Sequence, residues 1–287
     1  MAAHRRHFRR TTRIFIEPTP SDTDTPLHRI MSSNSSSVPT EFVADAFETS
    51  VSESEETQFI RTIDDTVSNL RAQIEDDQLE RMLRAGAGSY LLKSGMTRDG
   101  LQPESFTQDA VINPLLDVLG HDYATEAGGL SGGQTQVADY TVSLRDQSQI
   151  DSTRLLIEAE PINKDLDSRK HGIGQVRDWL SQREFESNFG FATDGLRWVF
   201  IRYDPDSYTH NVIEEVDLQP VFLALFENQT GARDDPVEAV FEADRDRVTR
   251  LIRTFQYDNF ISIAGEARQV IKRKKSEITD DFYDDYI

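Results

Sequence analysis

LLIEAEPINKDL, residues 155–166, starts as an apolar run and closes on two glutamates, Glu158 and Glu160, with a proline directly after them. Side chains at i and i+2 of an extended strand share a face, so Glu158 and Glu160 project together while Ile157 and Ala159 turn the other way into apolar packing. A second strand is read at VADYTVSLR, residues 137–145, where Val137, Asp139, Thr141 and Ser143 alternate with Ala138, Tyr140, Val142 and Leu144. If the two strands lie antiparallel with these faces matched, Asp139 joins the two glutamates and three carboxylates converge. Like charges that close are costly unless a proton or a cation resolves them. A hard divalent ion with oxygen ligands, Mg2+ or Mn2+, is the natural resolution. On the carboxylates alone a second reading stands beside it, in which both glutamates lie at a solvent-facing strand end and Asp139 on a polar face.

Outward from these strands the pattern alternates between helix and strand, which predicts an α/β (α+β) fold. Before them, ESFTQDAVINPLLDVLGHD (104–122) has an apolar helical face at Phe106, Val111, Leu115, Leu116 and Leu119 and a C-capping Gly120. YATEAGGLSGGQTQ (123–136) reads as a glycine-rich loop. After them, 165–186 reads as mostly helical despite Gly172 and Gly174. NFGFATDGLRWVFIRYD (188–204) reads as a hairpin turning at Asp194-Gly195, and 212–228 as a short strand and a short helix. Residues 56–93 carry apolar positions at helical period, predicting one long or broken amphipathic helix, and the tail from about 235 predicts two acidic helices.

Bulk composition narrows the function. Over 287 residues there are 51 acidic and 31 basic side chains, a net charge of -20, and 25 of the basic residues are Arg. Such a surface suits a cell with high internal salt, where screening relieves the repulsion, so the expected setting is the cytoplasm of a haloarchaeal cell. Cysteine is absent, which removes disulfides, thiolate metal sites and cysteine nucleophiles. No window is long and apolar enough to span a bilayer, so no membrane partner is expected. Residues 1–30 hold six Arg against three acids, out of character with the remaining 25 basic and 48 acidic residues, and Met31 opens an ordinary soluble start. Residues 1–55 are therefore expected to be disordered, with translation beginning at Met31. GGLSGG (128–133) lacks the Gly-Lys-Ser/Thr that ends a phosphate-binding loop, so no nucleotide cofactor is expected. The six histidines show no ligand spacing, and His121 and His171 are expected on the surface. The basic cluster IKRKK (271–275) reads as a solvated helix end.

Taken in order, the elements resemble the PD-(D/E)xK nuclease superfamily, and in particular the N-terminal nuclease domain of type I restriction enzyme R subunits. ESFTQDAVINPLLDVLG is similar to that family's opening helix. VADY stands at its Pro-Asp pair with Ala138 in the proline slot, IEAEPINKDL at its E-x-K strand, and QVRDWL followed by FATDGLRWVFI at its glutamine helix and T-x-G hairpin, with Trp179 in the aromatic slot. The resemblance covers about residues 100–225. It implies a restriction-endonuclease-like core, a central mixed sheet flanked by helices, at 100–230. Helical extensions would occupy 56–99 and 231–287. It further implies that Asp139 and Glu158 hold Mg2+ together with the Ala159 carbonyl, that Glu104 helps order that ion or a second one, that Gln175 reaches the same centre, and that Trp179 shares its helix face. DNA is the implied partner, with other restriction or defence subunits beside it. The ATP-motor motifs of a full R subunit are missing.

The departure is Glu160, which stands where the family has lysine. Three explanations remain open: the glutamate acts as general base or added ligand; Lys164 or Lys170 supplies the missing charge; or the site is impaired and the domain binds DNA or serves as a scaffold in a larger complex. A further reading makes the chain a structural protein whose helical arms mediate assembly.

Overall fold

The computed structural model describes residues 50–125, 138–231 and 234–266, all within one compact unit. The expected disorder of the first residues, the glycine-rich loop from 126 on and the IKRKK cluster lie outside the described residues.

Six strands form one sheet in chain order: β1 (Tyr123–Thr125), β2 (Tyr140–Ser143), β3 (Arg154–Ala159), β4 (Phe189–Thr193), β5 (Arg197–Asp204) and β6 (Thr209–Asp217). Every neighbouring pair is antiparallel except β3 and β4, which run parallel at the centre. A parallel pair needs a crossover. Residues 160–188 supply it, with α5 (Ile173–Leu180) lying across one face of the sheet.

The two faces of β3 explain its composition. Leu155, Ile157 and Ala159 enter the larger core with Phe189, Phe191, Trp198 and Phe200 of β4 and β5. That core is closed by helices α1 (Glu53–Gln73), α2 (Asp76–Arg84), α4 (Asn113–Val118), α6 (Gln219–Thr230) and α8 (Glu242–Phe255). Leu156 faces the opposite way, into a smaller core with Ile173, Val176, Trp179 and Leu180 of α5. The sheet is thus covered on both faces, an α/β restriction-endonuclease-like core.

Several elements differ from what the sequence suggests. Over 56–93 the broken form of the expected helix is found, α1 and α2 being parted at Ile74 and Glu75, but it ends at Arg84. The helix through 104–120 contains a π segment, Gln108–Ile112, between α3 (Pro103–Thr107) and α4 (Asn113–Val118); Ile112 and Asn113 are themselves helical, so Pro114 sits inside a continuous helical run, and the hydrogen-bond pattern shifts in the turn directly before it. Tyr123–Thr125, taken as loop, adds an edge strand to β2. Only half of the stretch 165–186 is helical, α5 and a 3-10 turn at Arg183–Phe185. The glycines give the reason. Gly172 has φ +53, and a Cβ on Gly174 would stand 2.3 Å from the Arg169 carbonyl oxygen, so both belong to the packed start of α5 and not to a helix interior. β6 and α6 are longer than expected, and the acidic tail comprises a short α7 (Pro236–Ala239), α8 and a helical run at 257–266.

Candidate active site

The β2–β3 register pairs Tyr140 with Ile157, and one residue further Asp139 comes opposite Glu158. Asp139 lies in a bend just before β2, not within the strand, and its Oδ2 accepts the Ala159 N–H at 2.7 Å. Asp139, Glu158 and Glu160 are all buried. The solvent-facing alternative for the two glutamates is therefore not what the fold provides.

Burial is the first cause that pushes the Glu158 carboxyl up, to about 10; the Asp139 charge and a hydrogen bond with Asp139 follow, then the charges of Glu160 and Glu104. Such crowding favours the protonated form of Glu158, with a hydrogen bond to Asp139. Glu104, on the first turn of α3, is exposed but close enough to act on Glu158. Gln175 stands half-buried on the first turn of α5, while Trp179 is fully buried against Phe185 in the smaller core.

Glu160 meets three groups of the loop that follows it. Its Oε1 accepts the Gly172 N–H at 3.0 Å and lies 3.3 Å from His171 Nδ1, and its Oε2 is 3.9 Å from Lys164 Nζ. Lys164 is the lysine that reaches the site; Lys170 is exposed and makes no ion pair among the described residues. The loop that carries these groups is held from several sides. Ile162 N–H donates to Thr107 Oγ1 at 3.0 Å, the Asn163 side chain donates to the Tyr90 carbonyl at 3.1 Å, and Arg197 grips Asp167 through two bonds at 2.9 and 3.1 Å. Asp194, fully buried at the β4–β5 turn, accepts N–H groups of Leu196, Arg197 and Asn163; burial still pushes its carboxyl up, to about 7. The T-D-G turn therefore anchors the loop after β3, which is why two motifs far apart in the chain belong to one site.

Sequence reasoning missed two participants. His171, half-exposed as expected, was not connected to Glu160, because the contact spans a non-helical loop with no periodicity to betray it. Asp194 was taken only as a turn residue. His121, expected on the surface, is buried: its Nε2 meets the Phe255 carbonyl at 2.7 Å and its ring packs edge-on to Phe191 and Tyr257. Burial lowers it to about 4, so it is a neutral core residue.

The donor set near β3 suits a hard divalent ion in kind, since Asp139 and Glu158 offer only oxygen and Mg2+ needs no more than one or two carboxylates when water fills the remaining positions. Among the described residues no three His, Cys, Asp or Glu side chains surround one point, so two carboxylates are the most that the arrangement offers as it stands.

A mixed sheet covered by helices on both faces, with buried acids at the end of its central parallel pair, is the arrangement of a restriction-endonuclease-like core. Over 238 residues, 80% of the chain, it is 29% identical to a protein of Methanocaldococcus jannaschii named as a candidate type II restriction enzyme and methyltransferase. The chain spans 18% of that relative's length. No known family profile and no solved structure matches the chain.

Proposed function

We propose that the chain is a Mg2+-dependent DNA endonuclease domain of restriction or defence type, built on the PD-(D/E)xK plan and similar to the type I R-subunit nuclease domain. The observation that carries the reading is the buried pair of carboxylates, Asp139 and Glu158, set opposite one another at the end of the central strands. The name of the archaeal relative supports it, and brings DNA as substrate. Asp139, Glu158 and the Ala159 carbonyl would hold the ion, with Glu104 and Gln175 at its margin; bound there, a divalent cation supplies charge to polarise a phosphodiester and lowers the pKa of a water. The residues themselves do the rest: Asp139 bonds the Ala159 N–H and so fixes the backbone beside the ion, and Glu160 keeps Lys164 and His171 at the same strand end.

Plasmid cleavage by the full chain in high salt, with Mg2+ or Mn2+, tests this against Asp139→Ala. Nicking by the wild type that is lost in the variant is expected. Equal nicking by both sinks the metal site.

A second reading, a non-cutting member of the fold that binds DNA or serves as a scaffold, is favoured by Glu160 in the lysine slot. It expects no cleavage by the wild type and a gain on Glu160→Lys. The Lys164 contact weighs against it, because a cation already stands beside the vacated slot.

A further inference from the structure

Glu160 lies two residues beyond Glu158 in extended chain, and the Glu160 N–H continues the parallel ladder by donating to the Thr193 carbonyl at 2.8 Å. Its side chain therefore leaves on the same face as Glu158, beneath the start of α5. His171 and Lys164 are the basic groups that meet its carboxylate, and its charge is felt by Glu158. The placement of His171 is built, not incidental. Gly172 adopts φ +53 with Leu166 backbone 2.9 Å from where a Cβ would sit, and its N–H bonds the same Oε1 that faces His171 Nδ1. A turn only glycine tolerates thus presses His171 against a buried carboxylate.

The approach to Glu160 Oε1 turns Nδ1 inward and leaves Nε2 as the nitrogen on the far side of the ring. The His171 side chain is 46% exposed, while Glu160 is 4% exposed. That is the disposition of a general base, and it is located one carboxylate away from Glu158.

We propose that His171, oriented by Glu160, accepts the proton of the attacking water in phosphodiester hydrolysis, and that Glu160 is a positioning residue rather than a failed lysine. The proposal rests on the nuclease reading above. In the step, a water O–H bond breaks and its proton passes to His171 Nε2 while the oxygen bonds to phosphorus. The bond from phosphorus to the leaving sugar oxygen breaks, that oxygen takes a proton from solvent, and His171 returns its own proton to solvent. The products are a phosphomonoester and a hydroxyl end. Lys164 contributes a positive charge beside the same carboxylate.

The test compares plasmid cleavage with Mg2+ by the full-length wild type, His171→Ala, Asp139→Ala and the double variant His171→Ala with Glu160→Gln. His171→Ala is expected to lose about 10²- to 10⁴-fold in rate, with its thermal midpoint and its DNA affinity in Ca2+ unchanged, and added imidazole is expected to restore part of the loss. Adding Glu160→Gln is expected to cost little more, because the two residues act as one unit. Cleavage by His171→Ala at the wild-type rate, or a loss in a folded variant that imidazole does not relieve, overturns the assignment while leaving the nuclease reading intact if Asp139→Ala is inactive. Absence of cleavage by the wild type overturns both.

Discussion

Glu158 holds a proton that the unfolded chain would release. Its folded pKa is raised from 4.5 to about 10, so the folded state binds more protons across that window and loses stability steadily as pH rises through it. In metal-free buffer the wild-type melting temperature should therefore fall from about pH 5 to about pH 9, and Glu158→Gln, which keeps the shape without the charge, should flatten that slope. Thermal melts of both proteins check this, and parallel slopes would contradict it. Removal of Asp139 acts differently. Asp139→Asn keeps an oxygen for the Ala159 N–H, whereas Asp139→Ala leaves that buried donor unmet, at a cost of about 1–3 kcal/mol in chemical denaturation. Equal stability of the two variants would show that the bond matters little. At this scale the sequence was informative where strand alternation applies: Glu158 and Asp139 could be matched across two strands from their period of two. It was silent on His171, whose meeting with Glu160 depends on a glycine-made turn that has no periodic signature.

The elements that place the site are α5 and the two loops at its start. Gly174 has no room for a Cβ, with carbonyl oxygens of Arg169 and Ser168 at 2.3 and 2.6 Å, so Gly174→Ala should cost about 1–3 kcal/mol and draw α5 away from Glu160, lowering cleavage as well as stability. A variant with unchanged melting and cleavage would show that the loop can yield. On the other face, His121 is neutral in the fold, with a pKa lowered to about 4 from 6.5. Its contribution is fully present above about pH 6.5 and is lost as pH falls toward 4, about 3 kcal/mol in all. Urea unfolding at about pH 7 and about pH 5 should show a smaller difference for His121→Gln than for the wild type; an equal difference would contradict the burial argument. Helices and hairpin were legible from periodicity and from Asp194-Gly195. The π segment, the edge strand Tyr123–Thr125 and the brevity of α5 were not, because each is set by tertiary packing or by backbone approach that composition does not encode.

For the whole molecule the main quantities are charge and a shared core. Apolar faces of α1, α2, α6 and α8 meet in one cluster, so the α1 face at Phe59, Ile63, Val67 and Leu70 is occupied within its own chain and is not open for assembly. Among the described residues no helix is long and apolar enough to cross a membrane. A net charge of -20 makes self-repulsion a substantial unfavourable term at low ionic strength, where the Debye length is about 10 Å at 0.1 M. The melting temperature should therefore rise as KCl is increased toward molar concentrations, and a flat or falling curve would remove the reason to read the composition as a high-salt adaptation. On the proposed reading, the same charge requires DNA to be held by a local site, where a divalent cation would stand between acid and phosphate. The most direct measurement of the central claim is a crystal structure of the full chain soaked in Mn2+, with anomalous data collected for wild type and Asp139→Ala. The account predicts an anomalous peak between Asp139 and Glu158 that disappears in the variant. A strongly bound Mn2+ elsewhere with none at that pair, or a peak unchanged in the variant, would contradict it.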